Sequence, residues 1–165
     1  VSDSTLSSPH VIRLRGPWQL QPLWRWAVAE DGAAVKNRDA LPPSGRIQAP
    51  ADWSGVLGRD FCGQARHQRF FHRPTGIDAG ERVWLVCDGA LDSAIVTLNG
   101  RQLGEFTGPA AGARFDVTQQ LAPRNELLID VTFAVTAEPG TPAVDRCGGL
   151  TGEVRLEIFP PAARS

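Results

Sequence analysis

Trp24 and Trp26 stand two positions apart, so an extended strand puts both indoles on one face and Leu23 and Arg25 on the other. Exposed, such a pair forms an aromatic platform able to stack on a sugar ring; buried, it fills a core, and core packing is the leading reading. His67 and His72 invite a metal reading, but five residues apart in a strand they fall on opposite faces and cannot chelate one ion together. Cys62, Cys87 and Cys147 are odd in number and have no CxxC or other metal-ligand spacing. Cys87 alternates with Val83 and Leu85 and reads as a buried thiol. Cys62 and Cys147 lie in Gly-containing loops and would form a disulfide only if those loops meet at one end of the fold. The sequence has no G-x-S-x-G elbow, no H-E-x-x-H helix, no phosphate-binding glycine loop and no dinucleotide fingerprint.

The elements that must position these residues are short strands. Ile95 to Leu98 is β-branched and apolar, and Asn99-Gly100 supplies the two positive-φ positions of a tight type I′ hairpin, which returns the chain through Arg101 to Phe106. Phe115 and Val117 alternate with Asp116, and Thr118 is placed to cap the turn Gln119 to Ala122, which Pro123 and Asn125 stop. In the next strand Leu127, Ile129, Val131, Phe133 and Val135 face one way, with Leu128, Asp130 and Thr132 opposite. Further strands are expected at 10–21 and 23–29, split at Pro22, and at 46–49, 64–73, 81–88 and 153–159. A polar loop over 30–45 and a single helical turn within 52–61 separate them, and 137–149 is the most loop-like stretch of the second half. Trp84 shares its side with Arg82 and Val86, which places it on an outer sheet face or against a neighbouring domain.

The order of these pieces resembles a family. Leu98-Asn99-Gly100, Leu103-Gly104, Phe115-Asp116-Val117-Thr118, Leu121, and then Asn125, Leu127 and Val131 are similar in order to the N-terminal sugar-binding, galactose-binding-like jelly-roll domain of glycoside hydrolase family 2. Leu14 to Trp18 resembles that domain's L.G.W opening, Ala49 to Trp53 its P.dW turn, Gln68 to Phe71 its YRR.F strand, and Gly148 to Val154 its closing G-G-I...V segment. The resemblance covers nearly the whole chain and implies an all-β, jelly-roll β-sandwich in which Trp18 and Trp53 are architectural.

Size and composition agree with that implication. The 165 residues suit one domain that buries roughly 70% of its unfolded surface, over about 10–160, with a loose segment 1–9 and a tail 161–165. Seventeen glycines, thirteen prolines and the absence of a long 3.6-residue apolar period favour an all-β sandwich. A net charge of −1, with seventeen basic and eighteen acidic residues spread along the chain, leaves no electrostatic footprint for nucleic acid. No apolar run approaches the eighteen or so residues of a membrane span. The Val1 start and polar 2–9 stretch read as a processed or excised chain.

In family 2 enzymes the two catalytic glutamates belong to a separate (β/α)₈ barrel of about 250 residues, for which this sequence has no room. The resemblance therefore implies a non-catalytic, carbohydrate-binding-like module, holding a saccharide or helping to shape a partner glycosidase domain's active site. The alternative is a structural or protein-interaction sandwich without a sugar site, since one fold hosts many functions. Loops after the P.dW turn and before the closing segment reach the sugar in such enzymes. By position these are Arg59-Asp60-Phe61 and Val144-Asp145-Arg146, whose Asp60, Asp145 and Arg146 are equipped to grip vicinal hydroxyls. Jelly rolls of this kind also hold structural calcium, to which Asp88, Asp92 and Asp116 would contribute from strand ends; no other cofactor is expected. The resemblance favours an extracytoplasmic setting.

Overall fold

The computed structural model describes residues 8–90, 93–107, 112–133 and 148–161. Two antiparallel sheets enclose one core. The smaller runs β1 (His10–Arg13), β13 (Val154–Phe159), β7 (Arg82–Cys87) and β10 (Ala113–Asp116) in spatial order. The larger runs β3 (Ala34–Asn37), β2 (Trp18–Val28), β6 (Gly63–His72), β11 (Arg124–Phe133), β8 (Ser93–Leu98) and β9 (Arg101–Thr107), with β4 (Gly45–Ile47) also beside β2. A short pair, β5 (Ala51–Asp52) with β12 (Gly149–Leu150), and one helical turn, α1 (Ser54–Leu57), close one end. The only helix among the described residues, four residues long, is far too short to cross a membrane.

Period-two alternation builds this core. Leu127, Ile129, Val131 and Phe133 from β11 and Ala94, Val96 and Leu98 from β8 meet Val83, Leu85 and Cys87 from β7 and Val154, Leu156 and Ile158 from β13. Burial pushes the Cys87 thiol up to about 12, which leaves it a packing group rather than a nucleophile. Trp18 and Trp53 are fully buried, their indole N–H groups donating to the carbonyls of Leu14 (2.8 Å) and Phe61 (3.3 Å). Trp84 lies half-buried on the outer face of the smaller sheet with the Arg114 guanidinium 5.5 Å from its ring.

The 99–100 hairpin forms with φ of 51° at Asn99 and 81° at Gly100. Three local expectations are corrected. The strand expected to break at Pro22 runs through it; the break falls instead at 14–17. Residues 21–24 have no partner on the β3/β4 flank, so the missing proline N–H is tolerated there. Within the expected 30–45 loop lies β3, an exposed edge strand reached by the turn at Asp31-Gly32, where the Ala33 N–H binds the Asp31 carboxylate (3.0 Å). Thr118 does not cap the following turn. Its hydroxyl accepts the Val83 N–H (2.9 Å) and donates to Asp116 (2.6 Å), tying β10 to β7. The segments 1–7, 134–147 and 162–165, and with them most of the expected loose end and tail, lie outside the described residues.

Candidate functional site

A bulge in β2 decides which side chains face where. Pro22 pairs with Ala65, an inward residue of β6, but Trp24 pairs with Gln64, an outward one, because one residue is inserted between them. Even-numbered residues face the core before the bulge, as Trp18 and Leu20 do, and odd-numbered ones face inward after it. Trp24 and Trp26 are thereby placed on the outer face of the larger sheet, and Arg25 is turned inward past the end of the core.

The two indoles meet edge to face, with centroids 4.7 Å apart. Trp24 is only 6% exposed, with the Lys36 ammonium 4.7 Å from its ring centre and its N–H donated to Gln64 Oε1 (3.2 Å). Gln64 in turn donates to Thr132 Oγ1 (3.1 Å). Trp26 is half-buried, and its N–H has no hydrogen-bond partner among the described residues. The pair is therefore a covered cluster more than an open platform.

The end of the sandwich onto which Arg25 points is built around Trp53. Its ring makes edge contacts with Phe61 (5.4 Å) and Phe133 (6.3 Å), and its backbone N–H donates to the Gly148 carbonyl (2.9 Å). Gly148 is tight against it: a Cβ there would lie 2.3 Å from the indole. Next to this cluster, sharing Phe61 with it, opens a cleft of about 270 Å³. The loop after β3 supplies Ala40, Leu41 and Pro42, the chain after α1 supplies Leu57, Gly58, Asp60 and Phe61, and β2 supplies Arg25. Arg25 Nη1 makes a single long bond, 3.5 Å, to the Ala40 carbonyl and no ion pair among the described residues. Asp60 is exposed at the rim.

Asp145, Arg146 and Cys147 lie outside the described residues, but both anchors of their loop are in view. The chain leaves at Phe133, paired with Gly63, and returns at Gly148 on Trp53. Asp60 and the roots of the Asp145/Arg146 loop thus share one end of the sandwich. So do half-buried Cys62 and the residue that follows Cys147, as a disulfide would require. Sequence reasoning missed two groups at this end. Asp52, exposed and paired with Gly149, accepts the N–H (3.0 Å) and hydroxyl (2.5 Å) of Ser54, which hold its carboxyl below the usual value, with nearby Arg59 adding to the effect. The Asp-x-Ser spacing in the P.dW turn is the signal that would have found it. Arg25 carries no such signal, because the bulge that aims it has no marker in the sequence.

Of the expected calcium ligands, Asp92 lies outside the described residues, Asp88 is paired with Arg155 (2.6 Å) and Asp116 with Arg82 (2.7 Å). No group of three metal-ligating side chains gathers among the described residues. A second hollow, about 360 Å³, lies at the opposite end of β6, between His10, Thr75, Ile77, Glu81 and Ile158.

No family model and no curated protein sequence matches this chain. Solved structures do. A Bifidobacterium dentium β-glucuronidase complexed with coumarin-3-O-glucuronide superposes with a TM-score of 0.67 at 25% identity, over 93% of this chain and 30% of that one. An FMN-binding β-glucuronidase from Faecalibacterium prausnitzii L2-6 gives 0.68 at 24% identity, over 93% of this chain and 23% of its own. A GH2 β-galacturonidase from Eisenbergiella tayi bound to glycerol shares the fold, with a TM-score of 0.62 at 14% identity, over 92% of this chain and 24% of its own. The chain spans less than a third of the length of each of these enzymes. It is an all-β sandwich that resembles one part of the glycosidases of glycoside hydrolase family 2.

Proposed function

We propose that this chain is a non-catalytic, sugar-contacting domain corresponding to the first domain of family 2 glycosidases, and that its saccharide site is the Trp53 end of the sandwich. One observation carries the reading: an apolar-floored cleft with Arg25 and Asp60 at its walls opens beside the anchors of the loop bearing Asp145 and Arg146. Concave sites with an apolar floor and a few convergent polar groups are where small polyols bind. Several of the matching structures are β-glucuronidases, one of them holding a glucuronide, which supports a saccharide as the ligand class. The glycosidic chemistry itself belongs, on this reading, to a partner domain, and this chain supplies orientation and exclusion of water. A structural calcium at Asp88 or Asp116 would have to displace Arg155 or Arg82 from the carboxylate.

The second reading is a structural or protein-interaction sandwich that binds no sugar; the covered state of Trp24, which removes an open indole platform for a sugar ring, is compatible with it. A thermal-shift panel separates the two. A monosaccharide or oligosaccharide at about 100 times its dissociation constant stabilises by about 2.7 kcal/mol, a rise of roughly 5–10 °C for a domain of this size. The sugar-contact reading predicts a selective rise for one saccharide class, lost in Asp60→Ala. A flat response across the panel, with and without calcium, would leave the docking sandwich as the account.

A further inference from the structure

Of the asparagines in the chain, Asn37, Asn99 and Asn125, only Asn99 is followed by glycine. That dipeptide is open to loss of its side-chain amide. With no Cβ on residue 100 to obstruct it, the Gly100 backbone nitrogen, once it gives up its proton to hydroxide, attacks Asn99 Cγ. The Cγ–Nδ2 bond breaks, the nitrogen leaves as ammonia with a proton from water, and a succinimide ring joins Cγ to the Gly100 nitrogen. Water opens the ring at either carbonyl, giving aspartate, or isoaspartate with the chain rerouted through the side chain. Asn99 is exposed, so solvent reaches it.

The folded hairpin obstructs the first step. Asn99 Nδ2, the atom to be expelled, donates to the Gln120 carbonyl (3.1 Å) and to Asn125 Oδ1 (2.9 Å), and Asn99 Oδ1 accepts the Glu126 N–H (2.9 Å). All three partners lie in the turn and strand start at 120–126, so the amide is held toward β11 and cannot swing onto the Gly100 nitrogen. We propose that position 99 is a deamidation site gated by this latch: the native fold protects the amide, and loss of the amide in turn weakens the native fold.

Asn125 carries the second half of the proposal. It is fully buried, its Oδ1 accepts the Ala122 N–H (2.8 Å), and its Nδ2 donates to the carbonyls of Ala122 (2.9 Å) and Phe71 (3.3 Å). Flipping its amide would set an oxygen against two carbonyls and an NH₂ against an N–H, so Oδ1 stays turned toward position 99. A carboxylate there would face two acceptors, Asn125 Oδ1 and the Gln120 carbonyl, and offer them no proton. Only the protonated acid could donate in place of Nδ2. The latch lies at the far end of β11 from Trp53, so the proposal stands apart from the saccharide reading.

The test follows the intact chain at neutral pH, folded and unfolded in guanidinium, by peptide mapping of amide loss and isoaspartate at position 99. The proposal predicts loss at least about tenfold slower in the folded chain, with Asn37 and Asn125 as internal controls that stay intact. Asn125→Ala, where it folds, should raise the folded-state rate; in wild type, graded guanidinium should raise it in step with opening. Asn99→Asp supplies the product directly, at a turn position that tolerates aspartate. Its folding equilibrium constant should fall about tenfold below wild type at neutral pH. Because the folded state favours the protonated acid, that deficit should shrink as pH falls from about 7.5 to 4.5. Equal rates in folded and unfolded chains overturn the gate, and a folded Asn125→Ala chain with the wild-type rate overturns its assignment to the latch. An Asn99→Asp deficit that is absent, or that does not change with pH, overturns the weakening of the fold.

Discussion

His67 faces the core of β6 at a position where an aliphatic side chain would be ordinary. Its Nδ1 is 3.3 Å from the Ile129 carbonyl, which fixes that nitrogen as the donor, and its Nε2 is buried without a partner among the described residues. Burial lowers the imidazole to about 4 from 6.5, against weaker upward pulls from the Ile129 carbonyl and Asp130. The native state therefore resists protonation that the unfolded chain accepts. Stability should be constant above about pH 6.5 and fall as pH drops from there toward 4, by roughly 3 kcal/mol in total. Chemical denaturation at intervals between pH 7.5 and 4.5 would show this slope in wild type, and His67→Leu should flatten it. An unchanged slope in His67→Leu would mean another group is responsible. Asp52 and Asp116, both held below their usual value by hydrogen bonds, lose their contributions only at lower pH, below about 3.8, so the two effects separate. At this scale the sequence was legible where a residue acts locally. Asn99-Gly100 declares its turn by type. Asn125, read as a turn stop, does bond both the N–H and the carbonyl of Ala122, but it is also fully buried and joined to Phe71 and Asn99, whose distance along the chain leaves no local pattern. Thr118 was misplaced for the same reason, since the Val83 N–H that captures it is 35 residues away.

Among the elements, β2 decides most about the site. Alternation made Trp24 and Trp26 co-facial in advance, and they are, but it could not say which face, because one inserted residue exchanges the two. Pro22 was read as a break; its place opposite the gap between β4 and β3 turned it into a bulge neighbour instead. β3 was missed because an exposed edge strand, Ala-Val-Lys-Asn, buries no alternating face and leaves only its Asp-Gly turn as a marker. By contrast β11, with every second residue in the core, could be read outright. The dependence of the site on β2 can be tested through Gly63. Gly63→Ala should cost about 2 kcal/mol in denaturant unfolding, because the added methyl must push β2 away at the bulge. The same variant should weaken saccharide binding although Gly63 does not line the cleft. Unaltered stability would show that β2 yields there without cost, and that Arg25 is not held in place by this approach.

For the whole molecule, the order of short motifs carried the fold further than any single one did. An antiparallel two-sheet sandwich with Trp18 and Trp53 inside follows from them, and the match to family 2 glycosidase structures over 93% of this chain agrees. The site was less legible, because it is assembled from β2, the chain after β3, the chain after α1 and the anchors of a distant loop, and only Asp60 among the described wall residues had been singled out. The molecule also offers a rival hollow at its other end, lined by His10 and Glu81. The most direct test of the account is therefore where a saccharide touches the surface: amide chemical-shift mapping of the labelled chain titrated with methyl β-D-glucuronide. The account predicts saturable shifts confined to Arg25, 40–42, 57–61 and the residues flanking 134–147. Shifts centred on His10, Thr75 and Glu81, or no shifts at millimolar sugar, would contradict it.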